Sequence, residues 1–241
     1  MAKRAIDTPL GSFELAYELT GPIEGDKVLM LHGWGANKEL MLKAFGPHAH
    51  SWRTLYLDLP GFGKSSEPKE GLDSEGYLQI VRAFLAAVDF DPKVVVGHSF
   101  GGKIATLLEP ELLVLLASAG IPKTKSLRVR LKIALAKVLR PLKSHWVRKL
   151  LMTQDAQGYS EVMYATLKRV VDEDFSARFA ARNKPTLICW GQNDTATPLA
   201  SGLRLRALIP ASGWFVFEGD HFFFLSHAKK IVEQIENLKA P

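Results

Sequence analysis

Apolar runs that end in turn residues recur along this chain, and stretches with apolar residues at helical spacing separate them. Ser12 to Glu18 alternates weakly and predicts an outer strand. Lys27 to Leu31 predicts a buried strand closed by Gly33 and Gly35, and Arg53 to Leu57 another, closed by Asp58-Leu59-Pro60-Gly61. Lys93 to Val96, Leu112 to Leu116, Thr186 to Cys189 and Trp214 to Phe217 add further strands. Between them, Gly76 to Val88 carries Leu78, Val81, Leu85 and Val88 on one helical stripe. A short helix spans Gly101 to Leu108, stopped near Pro110, and a last one Ala228 to Leu238. Thr197-Pro198 predicts a helix start with Thr as N-cap and Pro in the first turn. Continuously apolar strands joined by helices imply an α/β fold, a mostly parallel twisted sheet with helices on both faces.

The strand pattern breaks between 121 and 184. Leu127, Leu131, Leu135, Val138 and Leu139 recur at helical spacing, His145 to Met152 extends a second helix, and Ser160 to Val171 predicts a third through Met163, Leu167 and Val170. Residues 1–120 and 185–241 therefore form the two parts of an α/β core, with a helical insertion at 121–184. Charge sharpens this division. The formal net charge is +6, and Ile121 to Leu150 holds ten Lys or Arg and no Asp or Glu, leaving the rest close to balance. Such a segment is a solvated helix face, or it attracts an anionic ligand, an acidic partner or an anionic membrane surface. No nucleic-acid motif accompanies it.

At 241 residues with 47% apolar and 23% charged residues, the composition is that of a water-soluble globular domain able to bury a substantial core. The longest apolar run, Leu112 to Ala119, is too short to span a bilayer, and no signal peptide is visible, so a cytoplasmic location is expected. A single cysteine, Cys189, excludes an intrachain disulfide framework and reads as a core residue. Oligomeric state is not legible in these patterns.

The most specific chemistry lies in Gly97-His98-Ser99-Phe100-Gly101, a Gly-x-Ser-x-Gly segment set between a strand and a helix. Four more segments each follow a predicted strand: His32-Gly33-Trp34-Gly35, Asp58-Leu59-Pro60-Gly61-Phe62-Gly63, Trp190-Gly191-Gln192-Asn193-Asp194, and Gly219-Asp220-His221-Phe222. In this order they resemble the α/β-hydrolase superfamily, in its single-cap branch of serine hydrolases and esterases, across nearly the whole chain. The resemblance implies a helical cap at 121–184 and a Ser99, Asp194, His221 triad in the chain order of that superfamily. It also implies oxyanion donors at the backbone N–H groups of Trp34 and Phe100. Where the chain departs from the family is the helix after Ser99, about two turns shorter than usual.

Each role has rivals. His227 sits on the C-terminal helix rather than in a post-strand loop, so His221 is preferred as base. Asp220 adjoins His221 and is poorly placed to hold its ring, and Asp58 lies in a scaffold-type turn, so Asp194 is preferred as the orienting acid. His98 faces away from its neighbour Ser99 and reads as a packed histidine, and His32 as one that shapes the turn before the oxyanion loop. Neither has partners at metal-ligand spacing, so no metal and no cofactor are expected. Trp34, Phe100 and Phe222 are candidate substrate-binding residues; Phe223 and Phe224 are either pocket or core; Met152, Tyr159 and Met163 are candidates for a roof. The resemblance implies a serine hydrolase acting on a small or medium carboxylic ester or thioester. It leaves open a carbon–carbon bond hydrolase of the meta-cleavage type, a slow or non-catalytic ligand-binding signalling protein, and a peripheral lipid hydrolase.

Overall fold

A computed structural model describes residues 1–122 and 159–239. The two helices predicted between Leu127 and Met152, the basic segment from 123 onward and Met152 itself lie outside the described residues.

Eight strands form one sheet in the order β1-β2-β4-β3-β5-β6-β7-β8. They are β1 (Ala2–Thr8), β2 (Gly11–Thr20), β3 (Asp26–Leu31), β4 (Trp52–Leu57), β5 (Val94–His98), β6 (Leu112–Leu116), β7 (Thr186–Gly191) and β8 (Gly213–Phe217). The β1–β2 and β2–β4 pairs are antiparallel and the remainder parallel. Residues Val28–Leu31 of β3 and all of β5, β6 and β7 are buried. Strands covered on both faces have no solvent side, which is why they read as unbroken apolar runs. Burying one Leu, Ile or Val in this way contributes about 1.5–3 kcal/mol before the ordering entropy is subtracted.

Seven helices are described: α1 (Lys38–Phe45), α2 (Ser74–Ala87), α3 (Phe100–Leu108), α4 (Glu161–Val170), α5 (Ser176–Ala180), α6 (Leu199–Leu208) and α7 (Phe224–Lys239). Polar residues start several of them. Asn37 accepts from the Leu40 N–H, Asp73 from Gly76 and Ser160 from Met163, at 3.3, 2.8 and 3.1 Å; such a cap stabilises a helix by about 1 kcal/mol. α1 packs on α7, where Phe45 stacks on Phe224 at 6.0 Å, and α2 packs on α3.

Three described elements escaped the apolar pattern: β1, α1 and the five-residue α5. In β1 only Ile6 is buried, so no alternation marks it, and its pairing with β2 defines it. Along α1, buried Met41, Ala44 and Phe45 are interrupted by the charged Lys38, Glu39 and Lys43. The structure also corrects one helix start. Pro198 occupies the N-cap of α6 and Leu199 begins the helix, while the Thr197 side chain is used elsewhere.

Residues 159–184, between β6 and β7, are joined to the α2 and α3 region through partly buried polar contacts. The Lys103 ammonium, on α3, donates to the Val170 carbonyl at 2.6 Å and pairs with the Glu173 carboxylate, which also accepts from the Ser74 N–H at 3.0 Å. Leu72 N–H donates to the Thr166 hydroxyl at 3.0 Å. The segment returning from the insertion is thereby tied to the helix that follows Ser99.

Candidate active site

At the carboxyl end of β5 the chain turns sharply into α3, and Ser99 stands at the turn with φ +51° and ψ −113°. A non-glycine residue held at positive φ costs about 1–3 kcal/mol, so its surroundings must fix it. They do so through the backbone. Ser99 N–H donates to Leu116 O at 2.9 Å, and Ser99 O accepts from Gly102 and Ala119 N–H groups, both at 3.0 Å. The helix also passes close behind the strand-end loop, since a Cβ on Gly101 would sit 2.5 Å from Leu31 O and 2.6 Å from His32 O. That contact explains why the turn needs glycine there. Ser99 itself is half-buried, at the mouth of the fold rather than within it.

Asp194 follows β7 and His221 follows β8. The structure brings them together: His221 Nδ1 lies 2.7 Å from Asp194 Oδ2, with the carboxylate side chain fully buried and the imidazole 14% exposed. Asp194 also accepts from the Thr197 N–H at 2.8 Å, and the Thr197 hydroxyl lies 2.9 Å from its Oδ2. Burial pushes the Asp194 carboxyl up, but the His221 imidazole and the two Thr197 donors outweigh it and hold it below the usual carboxylate range. Thr197 is the contributor that sequence patterning missed. Its position before Pro198 resembled a helix cap, and only the meeting of the β7 and β8 loops shows where its hydroxyl points.

The rival residues have other employment. Asp220 accepts from the Phe222 N–H at 2.8 Å within its own loop. His227 Nε2 donates to Glu218 O at 2.8 Å and packs against Phe217. Asp58 is fully buried and faces Lys38, which donates to it through both its backbone N–H and its ammonium, at 2.7 and 3.0 Å. His32, also fully buried, donates from Nδ1 to Gly33 O at 2.8 Å and accepts the Leu59 N–H at Nε2 at 3.0 Å. Burial pushes Cys189 up and keeps its thiol protonated in the core.

Gly33 places the loop after β3 directly beside the turn. A Cβ on Gly33 would lie 2.8 Å from His98 Nδ1 and 3.0 Å from Ser99 Cβ. The next residue, Trp34, stacks edge-on against Phe62, Phe100 and Tyr159 at 4.9, 5.6 and 5.7 Å, and Phe100 against Tyr77 at 5.0 Å. Tyr159 thus reaches over the aromatic group from the insertion side, and the Met163 thioether lies against Gly61. Among the described residues, neither the Trp34 nor the Phe100 backbone N–H donates to a loop or turn carbonyl. Among the described residues the Trp34 indole nitrogen is buried without a hydrogen-bond partner. Phe222 is 42% exposed beside the His98 and His221 rings, at 5.4 and 5.5 Å. Phe223 and Phe224 are core residues, stacked on Phe217 and Phe45.

A serine at positive φ in a strand-to-helix turn and a buried histidine–carboxylate pair thus follow parallel strands of one eight-stranded α/β scaffold. Comparison with known proteins agrees. The sequence model of the alpha/beta hydrolase family matches residues 28–234, and the chain belongs to that family. It is 27% identical over 246 residues to a 2-hydroxy-6-oxononadienedioate/2-hydroxy-6-oxononatrienedioate hydrolase of Pseudomonas putida, covering 80% of this chain and 86% of that one. Among solved structures, a hydrolase from Pseudomonas aeruginosa superimposes with a TM-score of 0.77 at 20% identity, covering 99% and 98% of the two chains. An esterase from Rhodococcus does so with a TM-score of 0.75 at 20% identity, covering 100% and 99%. These neighbours share the fold. Among the described residues no helix is long and apolar enough to cross a membrane.

Proposed function

We propose that the protein is a serine hydrolase that cleaves a small or medium carboxylic ester or thioester through an acyl-enzyme, in the cytoplasm and without a metal or cofactor. The observation that carries this reading is the buried 2.7 Å contact between His221 and Asp194, on the sheet edge where Ser99 stands. In the proposed cycle, Asp194 holds the imidazole with its Nδ1 protonated, leaving Nε2 as the base. Ser99 Oγ attacks the substrate carbonyl carbon while His221 takes the hydroxyl proton. The tetrahedral oxyanion is received by the Trp34 and Phe100 N–H groups, each worth about 3 kcal/mol in the transition state. Collapse breaks the bond to the alcohol or thiol, which leaves with the proton from His221. Water, deprotonated by the same imidazole, then attacks the acyl-enzyme and releases the acid. The aromatic group of Trp34, Phe62, Phe100 and Tyr159 supplies an apolar wall for the substrate, and Phe222 an exposed one beside His221.

A panel of p-nitrophenyl esters of increasing acyl length tests this reading, with Ser99→Ala as control. Turnover favouring short acyl chains, abolished in Ser99→Ala, is the expected result, together with fluorophosphonate labelling at Ser99 that His221→Ala suppresses. A Ser99→Ala variant as active as the parent would end it.

One alternative has specific support. The Pseudomonas putida relative is named as a hydrolase of 2-hydroxy-6-oxononadienedioate and 2-hydroxy-6-oxononatrienedioate, and a Pseudomonas fluorescens structure of TM-score 0.73 is that of a meta-cleavage product hydrolase. A meta-cleavage dienol diacid turned over faster than any ester would favour it. Stoichiometric acylation without release would favour a ligand-binding role instead.

A further inference from the structure

The mechanism leaves one buried titratable group beside the site without a task. His98 ends β5, immediately before Ser99, and is 1% exposed. Its Nε2 lies 3.0 Å from the main-chain carbonyl of His221. A carbonyl only accepts, so Nε2 carries the proton and Nδ1 is a bare lone pair. Among the described residues that Nδ1 is buried without a hydrogen-bond partner, close against Gly33. A leucine or phenylalanine would avoid burying an unpaired acceptor, so the imidazole must be offset by what its other nitrogen does. The His98 ring also lies against the His221 ring at 4.6 Å and against Phe224 at 4.7 Å.

We infer that His98 is a positioning residue: its imidazole N–H, donated to the His221 carbonyl, holds the His221 loop at the correct distance from Ser99. The inference rests on the proposed triad. The end of β8 and its loop are also held by Gln192 N–H to Phe217 O at 2.8 Å, Asn193 N–H to Gly219 O at 2.9 Å and His227 to Glu218 O at 2.8 Å. None of these ends on the His221 main chain, and Asp194 grips only its ring. A link from the residue before the nucleophile to the backbone of the base joins the β5 turn to the β8 loop. The charged or titratable groups facing His98 are His221 after β8, Asp194 after β7 and His32 after β3. Burial, reinforced by the neighbouring His221, pushes His98 down to about 3, so the donating tautomer persists across the working pH range.

Two substitutions separate donor from ring. His98→Gln places an amide N–H near the position of Nε2, whereas His98→Phe keeps an aromatic ring and removes the donor. On the ester that wild type turns over, His98→Phe is expected to lower kcat by about 10²-fold, the cost of a small misplacement of a reacting group, with KM nearly unchanged. His98→Gln is expected to restore most of that loss, with the pH profile of kcat unshifted. Should His98→Phe fail to fold, His98→Leu carries the same expectation. Wild-type kcat in the donor-free variant, a Gln variant as impaired as Phe, or a rise in KM alone would overturn the inference. Imidazole ¹⁵N NMR keeps it testable apart from turnover. The Nδ1–H signal of His221 should persist in His98→Gln and be displaced in His98→Phe, and no difference between them would also overturn it. Absence of ester turnover and of Ser99 labelling in wild type would count against the proposed function instead.

Discussion

Two buried aspartates sit in loops that follow parallel strands, and they are equipped for opposite purposes. Asp58, after β4, is closed in by a lysine ammonium and by the backbone N–H groups of Lys38 and Lys64, the latter at 3.0 Å. Its partner bears a permanent charge at working pH, and the Lys38 ammonium is further tied to Glu39 at 2.5 Å. Asp194, after β7, faces a threonine hydroxyl, one N–H and an imidazole. The first arrangement is a finished ion pair that braces the turn beside the His32 loop. The second leaves the partner as an imidazole, a ring with one nitrogen facing the carboxylate and a second nitrogen able to donate or accept. Burial and hydrogen bonding are alike in the two; the partner group, an ammonium at Asp58 and an imidazole at Asp194, separates them.

The sharpest test of this contrast is Asp194→Asn. It is expected to lower kcat by about 10⁴-fold, because the amide no longer enforces the Nδ1–H tautomer of His221, while circular dichroism shows the fold retained. Retention of most activity would make Asp194 a second scaffold aspartate. Lys38→Met should act the other way, reducing unfolding free energy by about 3–5 kcal/mol in urea titrations because Asp58 keeps a buried charge without a counter-ion. A stability loss near zero would show that the pair is dispensable.

Thr197→Val removes one donor from Asp194 without touching the imidazole. A decrease of about tenfold in kcat, equivalent to about 1.4 kcal/mol, is expected. Unchanged kcat would assign the hydroxyl to Ala117 O, which lies 3.0 Å away.

The smallest effects are in the pH dependence of stability. The Asp194 carboxyl is held below its ordinary value, so its contribution is complete above about 3.9 and is lost as pH falls through the lower folded value. Thr197→Val should move that loss to higher pH. Desolvation lowers the Lys38 ammonium, but its bonds to Glu39 and Asp58 raise it on balance. Its contribution is therefore complete below about 10.4 and is lost as pH rises through the higher folded value. Thermal melts across the acid and alkaline ranges, compared with Thr197→Val and Lys38→Met, check both signs.

Much of this architecture was legible along the chain, for a local reason. The central stretches of β3, β5, β6 and β7 are covered on both faces, so burial demands apolar residues along most of their length. The turn at Ser99 was legible because its close approach to Leu31 O and His32 O excludes a side chain at Gly101. β1 was silent because its stability comes from pairing with β2, which imposes no apolar period.

What the sequence by itself determined is the set of strand ends that carry a serine, an aspartate and a histidine, since each is marked by apolar burial before it and turn chemistry after it. Only the tertiary structure decided which groups act on which. Thr197 turns to Asp194 instead of capping a helix, His98 reaches the His221 carbonyl across 123 positions of chain, and Asp58 closes on Lys38. Such contacts depend on how loops from separate strands converge at one edge of the sheet, and no spacing along the chain encodes that convergence.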